Sequence, residues 1–421
     1  MIKELLDVQI VASKKAIEVK RTPQLLYLLV HIRPPKKSGF SQLNLNLCLV
    51  LDRSTSMNGE RLEKVKSAAS AIVDKLTEDD RFSLVVFSDR SEVVWPAKKV
   101  TDKKVLVAMI ERISAFGGTE IHQGLEAGLQ EVRRAQLSNF ANHLILLTDG
   151  HTYGDEEACV DLVRRAAKDG ILFSGLGLGP DWNDLFLDEL ASLSGGDVAY
   201  IQSPDQVIQE LKQVFHGLDS AYARNVRLVT HFPPDILLTK AFRVSPTAQP
   251  LALNQHEMRL GSVEGRSPLS VLLEFSIDTK RAGQLVPLPI ILTVDIPSNR
   301  LRDQGVRKFH EIAVVAQAEK EEPPESLVAA VQAWNFHQMN EKVWNDLEAG
   351  DVQAAEVRME RLTSRLAEAG HTDLARQLRE ESLRLASQGE LSADGRKRLK
   401  FGTRSLVSQT VGLPQFDHAE V

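Results

Sequence analysis

Asp52, Ser54 and Ser56 stand two apart at the end of an apolar run, in L-N-L-N-L-C-L-V-L-D-R-S-T-S-M-N-G from Leu43 to Gly59. A carboxylate and two hydroxyls at that spacing are three oxygen donors with one formal charge between them. Hard cations such as Mg²⁺ want oxygen ligands in octahedral geometry and keep several waters. Two later stretches carry the same chemistry: Thr119 follows Gly117-Gly118, and Asp149 sits in Thr148-Asp149-Gly150. Alone, each stretch is an ordinary loop, because Asp and Ser form turns and cap helices without binding anything. If the fold brings the three loops to one edge, Asp52, Ser54, Ser56, Thr119 and Asp149 form the wall of a metal site.

The elements that would position them are visible. Leucines alternate at 43, 45 and 47, and the apolar run continues through Leu51, which reads as a strand. Residues 142–147 are a second apolar strand ending in Thr148, and residues 120–135 carry a helical pattern. Between them, residues 61–76 show a helical stripe, 81–87 a strand, 92–95 its hairpin partner and 105–113 a helix. Beyond them come a helix at 156–167, a strand at 171–179, a helix at 185–193, a strand at 198–201 and a last helix at 205–218, opened by Ser203-Pro204. Strands alternating with helices predict a mostly parallel sheet with helices on both faces. Ligands bind such a sheet outside the carboxyl ends of its strands, where all three loops fall.

The triple D-R-S-T-S-M-N-G, F-G-G-T-E-I and L-L-T-D-G, in this order and at these separations, resembles a von Willebrand factor type A (VWA) domain. The resemblance covers residues 43–215, under half of the chain, and implies a metal-ion-dependent adhesion site (MIDAS) on a Rossmann-like sheet. Every position of the family's metal motif has its expected residue. By that resemblance Asp52, Ser54 and Ser56 hold Mg²⁺ from the first loop, with Mn²⁺ or Ca²⁺ as alternatives. Thr119 contributes its hydroxyl from the second loop, and Asp149 acts from the third, directly or through water. An Asp or Glu of a partner protein completes the shell. The charge balance agrees: three hydroxyls add no charge, so with Asp149 acting through water, Asp52 leaves a net positive centre that still seeks an anionic oxygen.

The chain has 421 residues, enough for two to three domains, and 43% hydrophobic residues, enough for ordinary cores. A net charge of −6 gives no footprint for nucleic acid. Two cysteines, Cys48 in the first strand and Cys159 on a helix, share no CxxC and no His at metal spacing. They read as reduced structural thiols. The first residues, M-I-K-E-L-L-D-V-Q-I, do not form a signal peptide, and no apolar run is long enough to span a bilayer. The expectation is a cytoplasmic protein.

The flanks differ from the centre. Residues 1–40 hold two strand-like stretches, 8–11 and 24–33, and a loop at 34–39. Residues 222–318 show six short strands with turn signals, at 226–232, 236–244, 257–261, 269–277, 288–296 and 309–316. Six is few for a sandwich and two strands cannot bury a core alone, so both flanks are expected to build one sandwich. After the linker E-K-E-E-P-P at 319–324, residues 325–412 read as an antiparallel helical domain with segments at 326–349, 351–369, 372–387 and 389–411. Trp334 and Trp344 are read as core. The run Arg396-Lys397-Arg398-Leu399-Lys400 is expected to be a solvated helix face.

Other chemistries lack their residues. No G-x-x-x-x-G-K-[ST], H-E-x-x-H or G-x-S-x-G occurs, and Gly175-x-Gly177-x-Gly179 is read as a sheet turn. His122, His143 and His151 lie near the metal loops in sequence and are expected to be solvated. A Mg²⁺-dependent phosphotransferase of the haloacid-dehalogenase type would use the strand-end Asp as nucleophile and a second Asp two residues on, but Ser54 stands there. The favoured function is a non-enzymatic, Mg²⁺-dependent protein-interaction adaptor, with an AAA+ ATPase or another assembly as partner. The alternative is a surface or secreted adhesin.

Overall fold

The structure is a computed structural model that describes residues 5–35, 44–137, 139–152, 154–253, 257–265, 267–279, 281–299, 301–319, 321–388, 391–392 and 394–410. Leu43, most of the loop read at 34–39 and the tail after Pro414 lie outside the described residues.

Three strands come first: β1 (Asp7–Ala12), β2 (Ala16–Glu18) and β3 (Gln24–Arg33). The α/β region follows as β4 (Leu45–Asp52), α1 (Glu60–Lys75), β5 (Arg81–Phe87), β6 (Ser91–Lys99), α2 (Lys103–Glu111) and α3 (Ile121–Arg134). It continues through β7 (Ala141–Thr148), α4 (Glu156–Lys168), β8 (Leu172–Leu178), α5 (Asp184–Ser194), β9 (Val198–Ile201) and α6 (Val207–Asp219). Then come β10 (Ala221–Val229), β11 (Ile236–Ser245), β12 (Gln249–Pro250), β13 (Glu257–Glu264), β14 (Leu269–Ile277), β15 (Leu285–Ile296) and β16 (Leu301–Val315). Four helices close the chain: α7 (Glu325–Glu348), α8 (Val352–Glu368), α9 (Thr372–Gln388) and α10 (Gly395–Thr410).

The α/β region is one sheet in the order β6-β5-β4-β7-β8-β9, parallel except where β6 pairs with β5. β4 is central and buried along its whole length, and its period of two divides the helices between the faces. Leu45, Leu47, Leu49 and Leu51 pack with Val65 and Ile72 of α1, Leu106 of α2 and Leu211 of α6. Cys48 and Val50 pack with Leu125 of α3, Val163 of α4 and Leu190 of α5. α6 does not open on a Ser203 side-chain cap, because Ser203 makes no such bond; residues Pro204–Gln206 form a tight 3₁₀ turn instead. The glycine run divides: Gly179 follows β8 with φ +72°, as the turn reading expects, while Gly177 within β8 has a packing reason, since a Cβ there would lie 1.9 Å from the Trp182 ring.

Two five-stranded sheets, β1-β3-β14-β11-β12 and β13-β10-β15-β16-β2, pack over a shared core that includes Leu28, Val30, Phe275, Leu288 and Ile290. β3 pairs antiparallel with β14 from Leu269 opposite Ile32 to Ile277 opposite Gln24, while β2 pairs parallel with β16. The α/β region is thus an insertion between β3 and β10, two strands of the same sandwich. The short β2 and β12 were not anticipated from sequence.

The helical region is not a free-standing unit. Leu29, Phe242 and Leu272, on the outer face of the first sandwich sheet, share a core with Leu327, Trp334, Met359 and Leu378, and the Phe242 and Trp334 rings lie 4.2 Å apart. That sheet is covered on both faces, which explains the unbroken apolar stretch Leu-Leu-Tyr-Leu-Leu-Val in β3.

The basic run on α10 is the main correction to the sequence reading. Lys400 is buried and forms ion pairs with Asp184 and, at 2.8 Å, with Asp188, both on α5. Arg404 grips Asp188 through both terminal nitrogens. Lys397 donates to the Pro180 carbonyl. Burial alone would raise the Asp188 carboxyl, but Arg404 and Lys400 outweigh it and hold it well below the usual carboxylate range. Lys397, Lys400 and Arg404 face the α/β region rather than water, whereas Arg396 and Arg398 pair with Glu348 of α7 and Glu381 of α9.

Two predictions follow from this packing. Arg404→Ala removes the bidentate partner of Asp188 but leaves Lys400 beside it, so the loss should be that of a charged hydrogen-bonded contact, about 1.5–3 kcal/mol; urea unfolding measures it, and a loss under about 1 kcal/mol would refute the clamp. His31 is pushed down to about 4 by burial, with Arg33 adding to it, and His143 to about 3 by burial, with Arg224 adding to it. Both stay neutral in the fold, whereas the unfolded chain takes up protons below about pH 6.5. Stability should therefore fall as pH drops from about 6.5 toward about 4, by about 1.4 kcal/mol per pH unit for each histidine. Urea titrations at about pH 6.5 and about pH 5 should show the slope, and His31→Asn should lower it by about 1.4 kcal/mol per pH unit; a slope unchanged by the substitution would count against this account.

Candidate metal centre

The three loops meet at the carboxyl edge of β4 and β7. Asp52, the last residue of β4, is fully buried. Its Oδ1 accepts the Ser54 backbone N–H at 2.8 Å, and its Oδ2 accepts the Thr148 hydroxyl at 2.6 Å. The Ser54 and Ser56 hydroxyl oxygens lie 3.0 Å apart, and Ser56 Oγ donates to Asp149 Oδ1 at 2.7 Å. Thr119 stands beside the third loop: a Cβ on Gly150 would lie 3.2 Å from its hydroxyl oxygen. The structure thus brings all five sequence-derived residues together. Asp52, Ser54 and Asp149 are buried, Thr119 is half-buried and Ser56 is exposed, so the cluster has a floor and an open mouth.

Backbone pairing fixes the loops to one another. Thr55 donates to the Gly117 carbonyl through both its N–H, at 3.0 Å, and its hydroxyl, at 2.9 Å, and the Phe116 N–H donates to the Arg53 carbonyl at 2.8 Å. Gly117 has φ +79°, which favours glycine, and a Cβ there would lie 2.5 Å from Asp89 Oδ2. Asp89 also accepts the Gly118 N–H at 2.9 Å, so the Gly-Gly pair lets the second loop fold over this carboxylate. The third loop holds the start of α3: Thr152 accepts the Ile121 N–H and Asp155 accepts the His122 N–H, each at 3.2 Å, satisfying donors that a helix N-terminus leaves unpaired.

Burial pushes the Asp52 carboxyl up to about 6, against the hydrogen bonds from Ser54 and Thr148, and the charge of Asp149 adds to the rise. Asp149 is paired with Arg61 of α1, whose Nη1 lies 2.5 Å from Oδ2. Arg61, Thr148 and Asp89 are the local residues that sequence reasoning missed. Thr148 and Asp89 had a signal, since Thr148 closes β7 and Asp89 lies in the turn just after β5. Arg61 had none, since it falls outside the apolar stripe of its helix. The three histidines divide. His151 is exposed and His122 half-buried. His143 is not solvated as expected: it is buried in β7, with Nε2 3.0 Å from Ser174 Oγ.

The donor set fits a hard divalent cation. Its atoms are all oxygens, three of them on uncharged hydroxyls, and two carboxylates stand among them. Among the described residues, no group of three or more His, Cys, Asp or Glu is arranged to hold a metal, so this is a hydroxyl-rich centre rather than a carboxylate or imidazole cage.

Residues 46–214 match the von Willebrand factor type A domain, and residues 325–409 match the Sll0103-like, C-terminal alpha-helical domain. The chain therefore contains a VWA domain, followed after the sandwich by an Sll0103-like helical domain. Uncharacterized protein sll0103 of Synechocystis sp. is 33% identical over 266 residues, covering 61% of this chain and 63% of that protein. Uncharacterized protein YfbK of Escherichia coli is 22% identical over 246 residues, covering 56% of this chain and 43% of that protein. The chain thus spans less than two thirds of the length of these curated relatives. The solved structure of a von Willebrand factor type A protein from Catenulispora acidiphila superposes with a TM-score of 0.76 over 95% of this chain and 96% of that one, at 17% identity, which shows a shared fold. VWA domains carrying a MIDAS work in protein–protein interaction.

Thr148→Val tests the support of the cluster. It leaves Asp52 Oδ2 buried without its donor, which costs about 1–3 kcal/mol. Urea unfolding in EDTA reads the loss, and an unchanged midpoint would mean that the hydroxyl does not hold the carboxylate.

Proposed function

We propose that this protein is a non-enzymatic docking module that takes an acidic side chain of a partner protein at a Mg²⁺-dependent adhesion site. The observation that carries this reading is the hydroxyl-rich cluster Asp52, Ser54, Ser56, Thr119 and Asp149 at one open sheet edge. Asp52, Ser54 and Ser56 would hold the ion from the first loop, Thr119 from the second and Asp149 from the third. Bound there, Mg²⁺ (Mn²⁺ or Ca²⁺ as alternatives) supplies a positive centre for an anionic oxygen. The chain's own part is positional. The Thr148 hydroxyl and Ser54 N–H orient Asp52, Asp89 holds the second loop, and Arg61 draws off part of the Asp149 charge. That last pairing leaves the five-residue set with less negative charge of its own, which favours a carboxylate from outside.

Ser54, where a phosphotransferase of this geometry would need an acid, supports a binding role over a catalytic one. We place the docking in the cytoplasm, a reading supported by two free, buried thiols, Cys48 and Cys159. Among the described residues no helix is long and apolar enough to cross a membrane.

The deciding experiment is a pull-down from native lysate in Mg²⁺, in EDTA, and with Asp52→Ala in Mg²⁺. A partner retained only by the wild type in Mg²⁺ is expected, and whether it is an AAA+ ATPase or another assembly component is read from the same gel. A partner indifferent to metal and to the substitution would move function to the sandwich or the helices. Cell fractionation separates the adaptor from the surface or secreted adhesin.

A further inference from the structure

The opposite edge of the VWA sheet carries a second polar site. A cavity of about 250 Å³ lies where the amino ends of β7 and β8 meet the sandwich. Arg224 and Arg227 of β10, Arg259 of β13, Arg302 of β16 and Lys168 at the end of α4 line it. Three carboxylates also line it, and none accepts a hydrogen bond from the terminal nitrogens of Arg224. Asp169 accepts from Arg133 at 3.1 Å, and Asp303 pairs with Arg227. Asp295 stands directly across from Arg224 in the β10–β15 register, yet its oxygens accept from Asn225 Nδ2 at 3.2 Å and from the Asp303 N–H at 2.9 Å.

Arg224 is left over. It is 7% exposed, and both terminal guanidinium nitrogens are buried without a hydrogen-bond partner. A buried charge without partners is costly and calls for a counter-charge. Burial pushes its guanidinium down to about 9, against the charge of Asp295 across the strand pair, which does not hydrogen-bond to its terminal nitrogens. The backbone around it is also unusual: Asn225 and Asp303, both lining the cavity, are the two described non-glycine residues with positive φ, each +49°. Such conformations cost energy and gather at functional sites. An unpaired arginine fork matches the oxygens of a phosphate, and the excess of cations over carboxylates favours a dianion. The volume falls below the usual range for drug-sized ligands, so the occupant is small.

We propose that this cavity is an oxyanion site for a phosphate group, free or as a small phosphate ester, with Arg224 at its floor and Arg302 and Lys168 at its mouth. It is independent of the metal loops, which lie at the other edge of the sheet.

Isothermal titration of the full chain in phosphate-free buffer at fixed ionic strength, with inorganic phosphate and with glycerol 3-phosphate, tests this. Wild type should bind at least one of them saturably. Arg224→Met should weaken it tenfold or more without lowering the melting temperature, because an apolar side chain of similar length relieves the unpaired charge. Arg302→Gln, an exposed change that leaves the fold alone, should weaken it about threefold. Tighter binding of glycerol 3-phosphate than of phosphate assigns the ester, and the reverse assigns the free ion. No saturable binding by wild type, or equal binding by Arg224→Met, overturns the proposal; should that variant fail to fold, unchanged binding by Arg302→Gln does so.

Discussion

One guanidinium ties the inserted VWA domain to the sandwich that brackets it. Arg243 of β11 is almost wholly buried and donates to the Gly195 carbonyl at 3.0 Å and the Gly196 carbonyl at 2.9 Å, in the turn between α5 and β9. The same group reaches the Leu260 and Thr247 carbonyls, the Gln249 side chain and Asp197. Its donors meet acceptors from both units, which is what makes a buried arginine tolerable. α5 is then held from a second side by Lys400 and Arg404 of α10, and Trp182, just before it, packs against Tyr200 and Phe401 with ring centres 6.3 and 5.9 Å away. The insertion, the sandwich and the helices therefore share one polar and aromatic seam.

With α5 fixed from behind, the front of the sheet is free to specialise. Its strands end in loops that fasten to each other through backbone bonds and short side chains, and the carboxylate at the end of β4 is held by donors from two of those loops. The two edges of the sheet carry opposite chemistry. The carboxyl edge gathers hydroxyls and aspartates suited to a cation, and the amino edge, against the sandwich, gathers arginines. A parallel sheet places every strand's beginning on one side and every end on the other, so one topology can hold both.

Much of this was legible in the sequence. β3, β5, β9 and β14 have the bounds read from alternation and apolar runs, because each is at least half-buried and its side chains report the burial. The five residues at the metal loops were visible because they sit in compact local motifs. What was missed depends on distant partners. Residues Ala16–Glu18 and Gln249–Pro250 are too short to show a period and exist as strands only through their neighbours. The basic run on α10 spells its charges but not the aspartates of α5, more than two hundred positions earlier. Arg224 is similar: its sequence context is an ordinary strand, and only the fold reveals that its neighbours' carboxylates are taken.

The interleaved order of the chain also bears on its synthesis. β3 is complete at Arg33, but β14, the strand it pairs with along its length, begins only at Leu269. At about 5–20 residues per second, the ribosome takes on the order of ten to fifty seconds to bridge that interval. Throughout it the stretch Leu-Leu-Tyr-Leu-Leu-Val-His-Ile waits as an apolar segment with an open edge, the kind of surface that chaperones shield. The VWA sheet, whose strands are all made within that wait, can close first and so becomes the nascent chain's early scaffold.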